Sequence, residues 1–227
     1  MFKKIEAFGS SGHQDLRFTK SDNFLFASKT NLVQLSFSEI KPASRFYPIV
    51  FPANQPELPH AILSLATGNN NYLTSEGKWT VPYIPFFIRT YPFIMIKTED
   101  KDKYAVCIDA EAPHFKNQYG EILFTADGKP NNFSEKIING LKVYLGEIEN
   151  TKKLFSELAE KNLMVDKQIT YGKDSDKKNI GGFKVIEMEK ILALSDLEIA
   201  GLVKNGAMGL IYDHLSSLAN MNMLAGK

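Results

Sequence analysis

The sequence predicts an α+β protein, and three patterns in it carry that reading. Short apolar runs punctuated by proline fill the first half, helical spacing of apolar residues begins at Asn132, and a polar stretch in the second half is flanked by strand-like segments. Together they describe a proline-rich, mainly antiparallel β half followed by a helix-rich half containing a β-hairpin.

The β half rests on runs such as Leu32 to Phe37, Tyr47 to Phe51, Phe93 to Lys97 and Tyr104 to Ile108, none of which has helical periodicity. Nine of the 10 prolines lie between Pro42 and Pro113. Each removes a backbone donor and blocks helix continuation, so extended chain and turns are expected there. The charged stretch Thr98 to Lys103 separates two apolar runs and predicts a hairpin with an exposed tip.

The helix-rich half opens with Phe133, Ile137, Leu141, Tyr144, Leu145 and Ile148, the stripe of an amphipathic helix. Asn132, with Glu135 three places later, is positioned to cap it. Phe155, Leu158 and Leu163 extend the apolar face, and Gly140 and Gly146 favour an interruption and a second helix starting near Asn150. Tyr171 to Lys178 reads as a polar hairpin tip between Gln168–Tyr171 and Phe183–Met188. Ser195 and Glu198 have capping-box spacing for a short helix that ends near Asn205-Gly206. Leu210, Ile211, His214, Leu215 and Leu218 form the inner stripe of the last helix. One domain over residues 1–227 fits this plan, as do two packed lobes, β-rich over 1–130 and helix-rich over 131–227.

Composition narrows the function classes. With 44% hydrophobic residues, including 16 Phe and 9 Tyr, the chain buries a sizeable core without staples. The 27 basic and 26 acidic residues nearly cancel, which disfavours nucleic acid as a partner. A single cysteine, Cys107, forms no internal disulfide and no Cys-rich metal site. No stretch approaches the roughly 18 apolar residues of a membrane helix, and the N-terminus lacks a secretory apolar core. Cytoplasmic localisation is the default expectation, with signal-independent export to the surface left open.

A set of motifs follows in fixed order: Tyr47-Pro48-Ile49-Val50-Phe51, Gly68 and Asn71, Gly77-Lys78-Trp79, and Tyr83-Ile84-Pro85. Ile88-Arg89-Thr90-Tyr91-Pro92-Phe93, Val106-Cys107-Ile108-Asp109 and Leu123 to Gly128 complete it. This ordered set resembles the SapC family of bacterial proteins. The likeness extends from His13 and Leu16-Arg17 to Leu192–Leu194 and Tyr212 to Leu218, nearly the whole chain. It implies a connection with surface-layer biology and defines no reaction. Thr90 stands where relatives carry a second arginine. If paired arginines hold an anion in the family, this chain holds it less well.

Trp79, Tyr83, Arg89 and Tyr91 lie in an aromatic segment that reads either as a ligand-pocket wall, with Arg89 gripping a carboxylate or phosphate, or as a proline-shaped core segment. His60 and Asp109, at the two ends of the central block, join them as candidate ligand-binding residues. His13 and Asp15 have the H-x-D spacing of an iron site that would need a distant third histidine. His214, on an apolar stripe, reads as a hydrogen-bonded core residue. No P-loop, dinucleotide-binding glycine fingerprint, G-x-S-x-G elbow or H-E-x-x-H motif is present.

The leading expectation is a non-enzymatic binding or accessory protein of cell-surface biology. It would need no cofactor and would take a small anionic ligand or a protein partner. The alternatives are an enzyme of unrecognised type, such as an iron-dependent oxygenase built on His13 and Asp15, and a subunit of an assembly that docks through an apolar face of the last helix.

Overall fold

A computed structural model describes residues 1–100, 103–172 and 178–225. In chain order the elements are β1 (Ile5–Ala7), α1 (Ser10–His13), β2 (Arg17–Phe18), β3 (Leu32–Gln34), α2 (Phe37–Ser44), β4 (Ile49–Pro52) and β5 (His60–Ile62). Then come α3 (Phe86–Arg89), β6 (Phe93–Lys97), β7 (Tyr104–Asp109), β8 (Glu121–Ile122), α4 (Asn132–Glu160), β9 (Met164–Tyr171) and β10 (Lys178–Ile186). Helices α5 (Met188–Leu192), α6 (Asp196–Lys204), α7 (Ala207–Ser217) and α8 (Met221–Ala225) follow. All strand pairs within the sheets are antiparallel, and the protein is α+β.

The chain groups into two compact units, neither of them contiguous. The first comprises Met1–Ser28, Leu73–Thr80 and Phe86–Gly146; the second comprises Lys29–Tyr72, Val81–Pro85 and Glu147–Lys227.

In the first unit, β6 and β7 form the expected hairpin, in register from Phe93 opposite Ile108 to Lys97 opposite Tyr104. Two residues of its tip, 101 and 102, lie outside the described residues. Strand β1 adds to the other edge of β7, giving the order β1-β7-β6, and β2 pairs with β8 in a separate ribbon. Phe93, Ile108, Leu123, Phe124 and Leu141 are the buried centre, and Phe8, Phe18, Phe86, Phe133 and Ile137 pack around them. The family-motif residue Gly77 is explained here by sterics. Its φ is 81°, and a Cβ would lie 2.5 Å from Asn23 Oδ1, so a side chain fits neither the backbone nor the space.

In the second unit the five strands run β3-β5-β4-β10-β9. The β9–β10 hairpin is longer than its sequence signal, and it carries an irregularity between Ile180 and Phe183, at the Gly181-Gly182 pair. The tip expected from Tyr171 to Lys178 falls largely on residues 173–177, outside the described residues. Phe51 and Phe155 meet at 4.9 Å and are almost wholly buried. Removing each ring from water stabilises the fold by about 2–3 kcal/mol. Helix α2 packs on α7, and Ser217 Oγ accepts the amide of Ile49 at 3.0 Å.

Three expectations are corrected. The first half is not only extended chain, because Phe37–Ser44 is a helix despite Pro42. The Glu39 carboxylate accepts the Ser36 amide at 3.0 Å and starts the helix, while Pro42 removes only one donor within it. Helix α4 runs unbroken for 29 residues, through Gly140 and Gly146. Each glycine costs a helix about 1 kcal/mol, too little to break one whose apolar stripe continues on both sides. Its cap is Asn131 rather than Asn132, with Oδ1 accepting the Ser134 amide at 3.0 Å. By contrast, Ser195 and Glu198 form the expected capping box, and Gly206, at φ 82°, follows the end of α6.

Candidate functional site

In the first unit, α3 follows directly on Pro85 and is one turn long, which sets Arg89 at its end with Thr90 and Tyr91 immediately after. Phe93 begins β6, Phe18 ends β2, and Phe133, Lys136, Ile137 and Gly140 share one face of α4. These segments enclose a pocket of about 360 Å³. Phe18, Phe86, Tyr91, Phe93, Phe133 and Ile137 give it an apolar lining, and Gly140 leaves the wall indented on the helix side. A Cβ at Gly140 would reach only the tip of Phe86, at 3.9 Å.

Every charged residue that lines this pocket is cationic: Lys20, Arg89 and Lys136. All three are exposed, so charge sits at the surface and aromatic carbon lies behind it. The Arg89 guanidinium lies 5.5 Å from the Phe86 ring centroid, and Phe86 in turn stacks on Tyr144 at 4.5 Å. Lys20 and Lys136 form no ion pair among the described residues.

The hydroxyl groups at the pocket are already engaged. Thr90 Oγ1 donates to the Phe86 carbonyl at 3.1 Å, and Tyr91 OH donates to Asp109 Oδ2 at 2.8 Å. Burial, reinforced by this carboxylate, raises the Tyr91 phenol above its ordinary range. Asp109 is fully buried and also accepts the amides of Lys3, Lys4 and Glu111. Burial alone would raise its carboxyl, but the four donated hydrogen bonds hold it below the usual carboxylate range. Asp109 therefore anchors the N-terminal strand and the Tyr91 ring.

Of the six candidate ligand-binding residues, Arg89 and Tyr91 line the pocket and Asp109 supports it through Tyr91. Trp79 belongs to the same unit but is not in the lining; its ring meets Phe24 edge-on at 5.8 Å. His60 and Tyr83 belong to the second unit. His60 Nδ1 bonds to the Leu58 carbonyl at 2.9 Å, and burial lowers its pKa. Tyr83 OH donates to the buried Glu39 at 2.9 Å, and its carbonyl accepts the Tyr47 hydroxyl. Lys20, Phe18 and the α4 residues were missed by sequence reasoning. A glycine inside a stripe of large side chains, as at Gly140, was the one signal pointing to space there.

His13 is buried, with Nε2 3.2 Å from Glu6 and Nδ1 near Gly9, whereas Asp15 is exposed. Among the described residues no group of three His, Cys, Asp or Glu side chains is placed to hold a metal. The Cys107 thiol is buried, and burial raises its pKa. His214 accepts the Ile186 amide at 3.1 Å and is pushed down to about 4 by burial, in keeping with a core residue. The exposed positions of α7 are Gly209, Tyr212 and Ser216, so its outer side offers one large apolar group and no apolar face.

The SapC family model matches residues 9–224. The chain belongs to the SapC family. No curated protein and no solved structure matches it. In this SapC chain Arg89, Thr90, Tyr91 and Phe93 of the motif Ile88 to Phe93 line the pocket, and Val106 to Asp109 lies in the strand paired with β6. No described helix is long and apolar enough to cross a membrane.

Proposed function

We propose that this SapC chain is a non-enzymatic binding protein for a small amphipathic anion and that it serves bacterial cell-surface biology. One observation carries the reading: an aromatic pocket in which every charged lining residue is a cation. A carboxylate or phosphate matches Lys20, Arg89 and Lys136, and an apolar body matches the rings behind them. The volume of about 360 Å³ suits a ligand with one short chain. Binding is favoured over catalysis because the lining offers no carboxylate, imidazole or thiol, and both of its hydroxyls are committed to protein acceptors. The cell-surface assignment draws its support from the family association alone.

Calorimetric titration with decyl phosphate, with decanol as the neutral control, tests the reading. Decyl phosphate should bind, decanol should bind at least about ten-fold more weakly, and Arg89→Ala should weaken the phosphate about ten-fold at an unchanged melting temperature. Equal binding of the two probes, or no binding of either, overturns it.

A further inference from the structure

A second hollow lies in the first unit beside the aromatic pocket. It is an open depression of about 550 Å³, lined by Thr19, Lys20, Ser21, His114, Lys116 and Asn117 beside the carbon surface of Pro113 and Tyr119, with no carboxylate. Lys20 lines both spaces. The chain divides at consecutive residues: Phe18 lines the aromatic pocket, Thr19 lines the second hollow, and Lys20 serves each. His114 helps to form the partition. Its ring stacks on Phe18 at 5.7 Å and meets Tyr91 edge-on at 5.3 Å.

Two polar atoms at this partition have no partner. Thr19 Oγ1 and His114 Nδ1 are both buried and make no hydrogen bond. His114 is only 4% exposed, and burial lowers its pKa, so the ring is neutral and presents one donor and one acceptor. An unsatisfied buried polar atom costs about 1–3 kcal/mol, and such groups tend to survive where something else satisfies them. Both residues line the hollow, and a hydroxyl has the chemistry to satisfy either atom, accepting from the Thr19 hydroxyl or pairing with the His114 ring nitrogen.

Resting on the anion-pocket reading above, we propose that the two spaces form one bipartite site for a single-chain anionic amphiphile whose head group carries hydroxyls. The chain fills the aromatic pocket, the anionic group lies at Lys20 and Arg89, and the hydroxylated end passes over Lys20 into the second hollow. Lys116 and the Asn117 side chain meet it there.

The test compares decyl phosphate with 1-decanoyl-lysophosphatidylglycerol, both below their micelle-forming concentrations, on the full chain. The hydroxylated probe should bind at least about ten-fold more tightly, the worth of one or two added hydrogen bonds. Thr19→Val and, separately, Lys116→Ala should erase that advantage while leaving decyl phosphate affinity unchanged. Because Thr19 Oγ1 has no partner in the fold, Thr19→Val should not lower the melting temperature. Equal affinity for the two probes overturns the bipartite site and leaves the aromatic pocket standing. The same holds for an advantage that neither variant reduces. Absence of binding by both probes overturns both readings.

Discussion

The Arg89 pocket and the Ser36–Glu39 cluster each set charged groups beside aromatic rings, but they close differently. In the second unit Glu39 is buried and takes hydrogen bonds from the Ser36 amide and Tyr83 OH. Glu147 accepts the hydroxyls of Ser36 and Ser38 at 2.7 and 2.6 Å. In the first unit Lys20, Arg89 and Lys136 border an apolar space lined by no acidic side chain. A charged residue near aromatics is therefore not by itself a site. In the second unit neutral donors of the fold already occupy the carboxylates, whereas no acidic side chain lines the pocket of the first unit.

Asp109 is closed by hydrogen bonds as Glu39 is, yet it stands behind the pocket through Tyr91. Asp109→Ala strands three backbone amides and the Tyr91 hydroxyl, and should cost about 3–5 kcal/mol in urea denaturation. A loss under about 1 kcal/mol would remove its bracing role.

Acid should expose a second closed region. His214 has a folded pKa of about 4 against 6.5 for a solvent-exposed histidine. Below pH 6.5 the unfolded chain takes up a proton that the folded chain refuses until about pH 4. Stability from this group is therefore full above 6.5 and falls by about 1.4 kcal/mol per pH unit, or about 3 kcal/mol across the window. Asp109, whose pKa is lowered, acts at more acidic pH; its contribution is present above the ordinary aspartate value of 3.8 and is lost below it. Denaturation midpoints from pH 7 to 4 should fall less steeply in His214→Gln, and an unchanged slope would refute this account.

Tyr83→Phe removes one donor from buried Glu39 and should cost about 1–2 kcal/mol without altering ligand binding. A change in decyl phosphate affinity would show that the second unit communicates with the pocket. Gly140→Ala should stabilise α4 by about 0.5–1 kcal/mol, since its Cβ has room, whereas Gly140→Leu should fill the indentation and block binding. Arg89→Ala is expected to have the smallest effect on stability, within about 0.5 kcal/mol, because the side chain is exposed.

Local chemistry was readable directly. The Phe93–Lys97 and Tyr104–Asp109 hairpin, the Ser195 cap and the glycine stop at Gly206 each depend on neighbours a few residues apart, and each appears where those neighbours place it. Around Arg89 the segment reads as a ligand-pocket wall or as core; in the fold Arg89 borders a pocket while Ile88 and Phe93 are buried. The reading failed where local signals competed with distant packing. Pro42 lies inside a helix, and Gly140 and Gly146 sit within an unbroken one, because costs of about 1–3 kcal/mol yield to tertiary burial.

Order along the chain was enough for the family, the α+β class, the hairpins, the Ser195 cap and the presence of one arginine among many rings. Only tertiary structure decided that Lys20, Arg89 and Lys136 meet around one space, that Asp109 is consumed in bracing, and that His60 and Tyr83 belong to the other unit. It also decided that β10 pairs with β4, far away in the chain. The physical reason is common to these cases. Helical and hairpin order is carried by hydrogen bonds between near neighbours, whereas a pocket is space left over when distant segments pack.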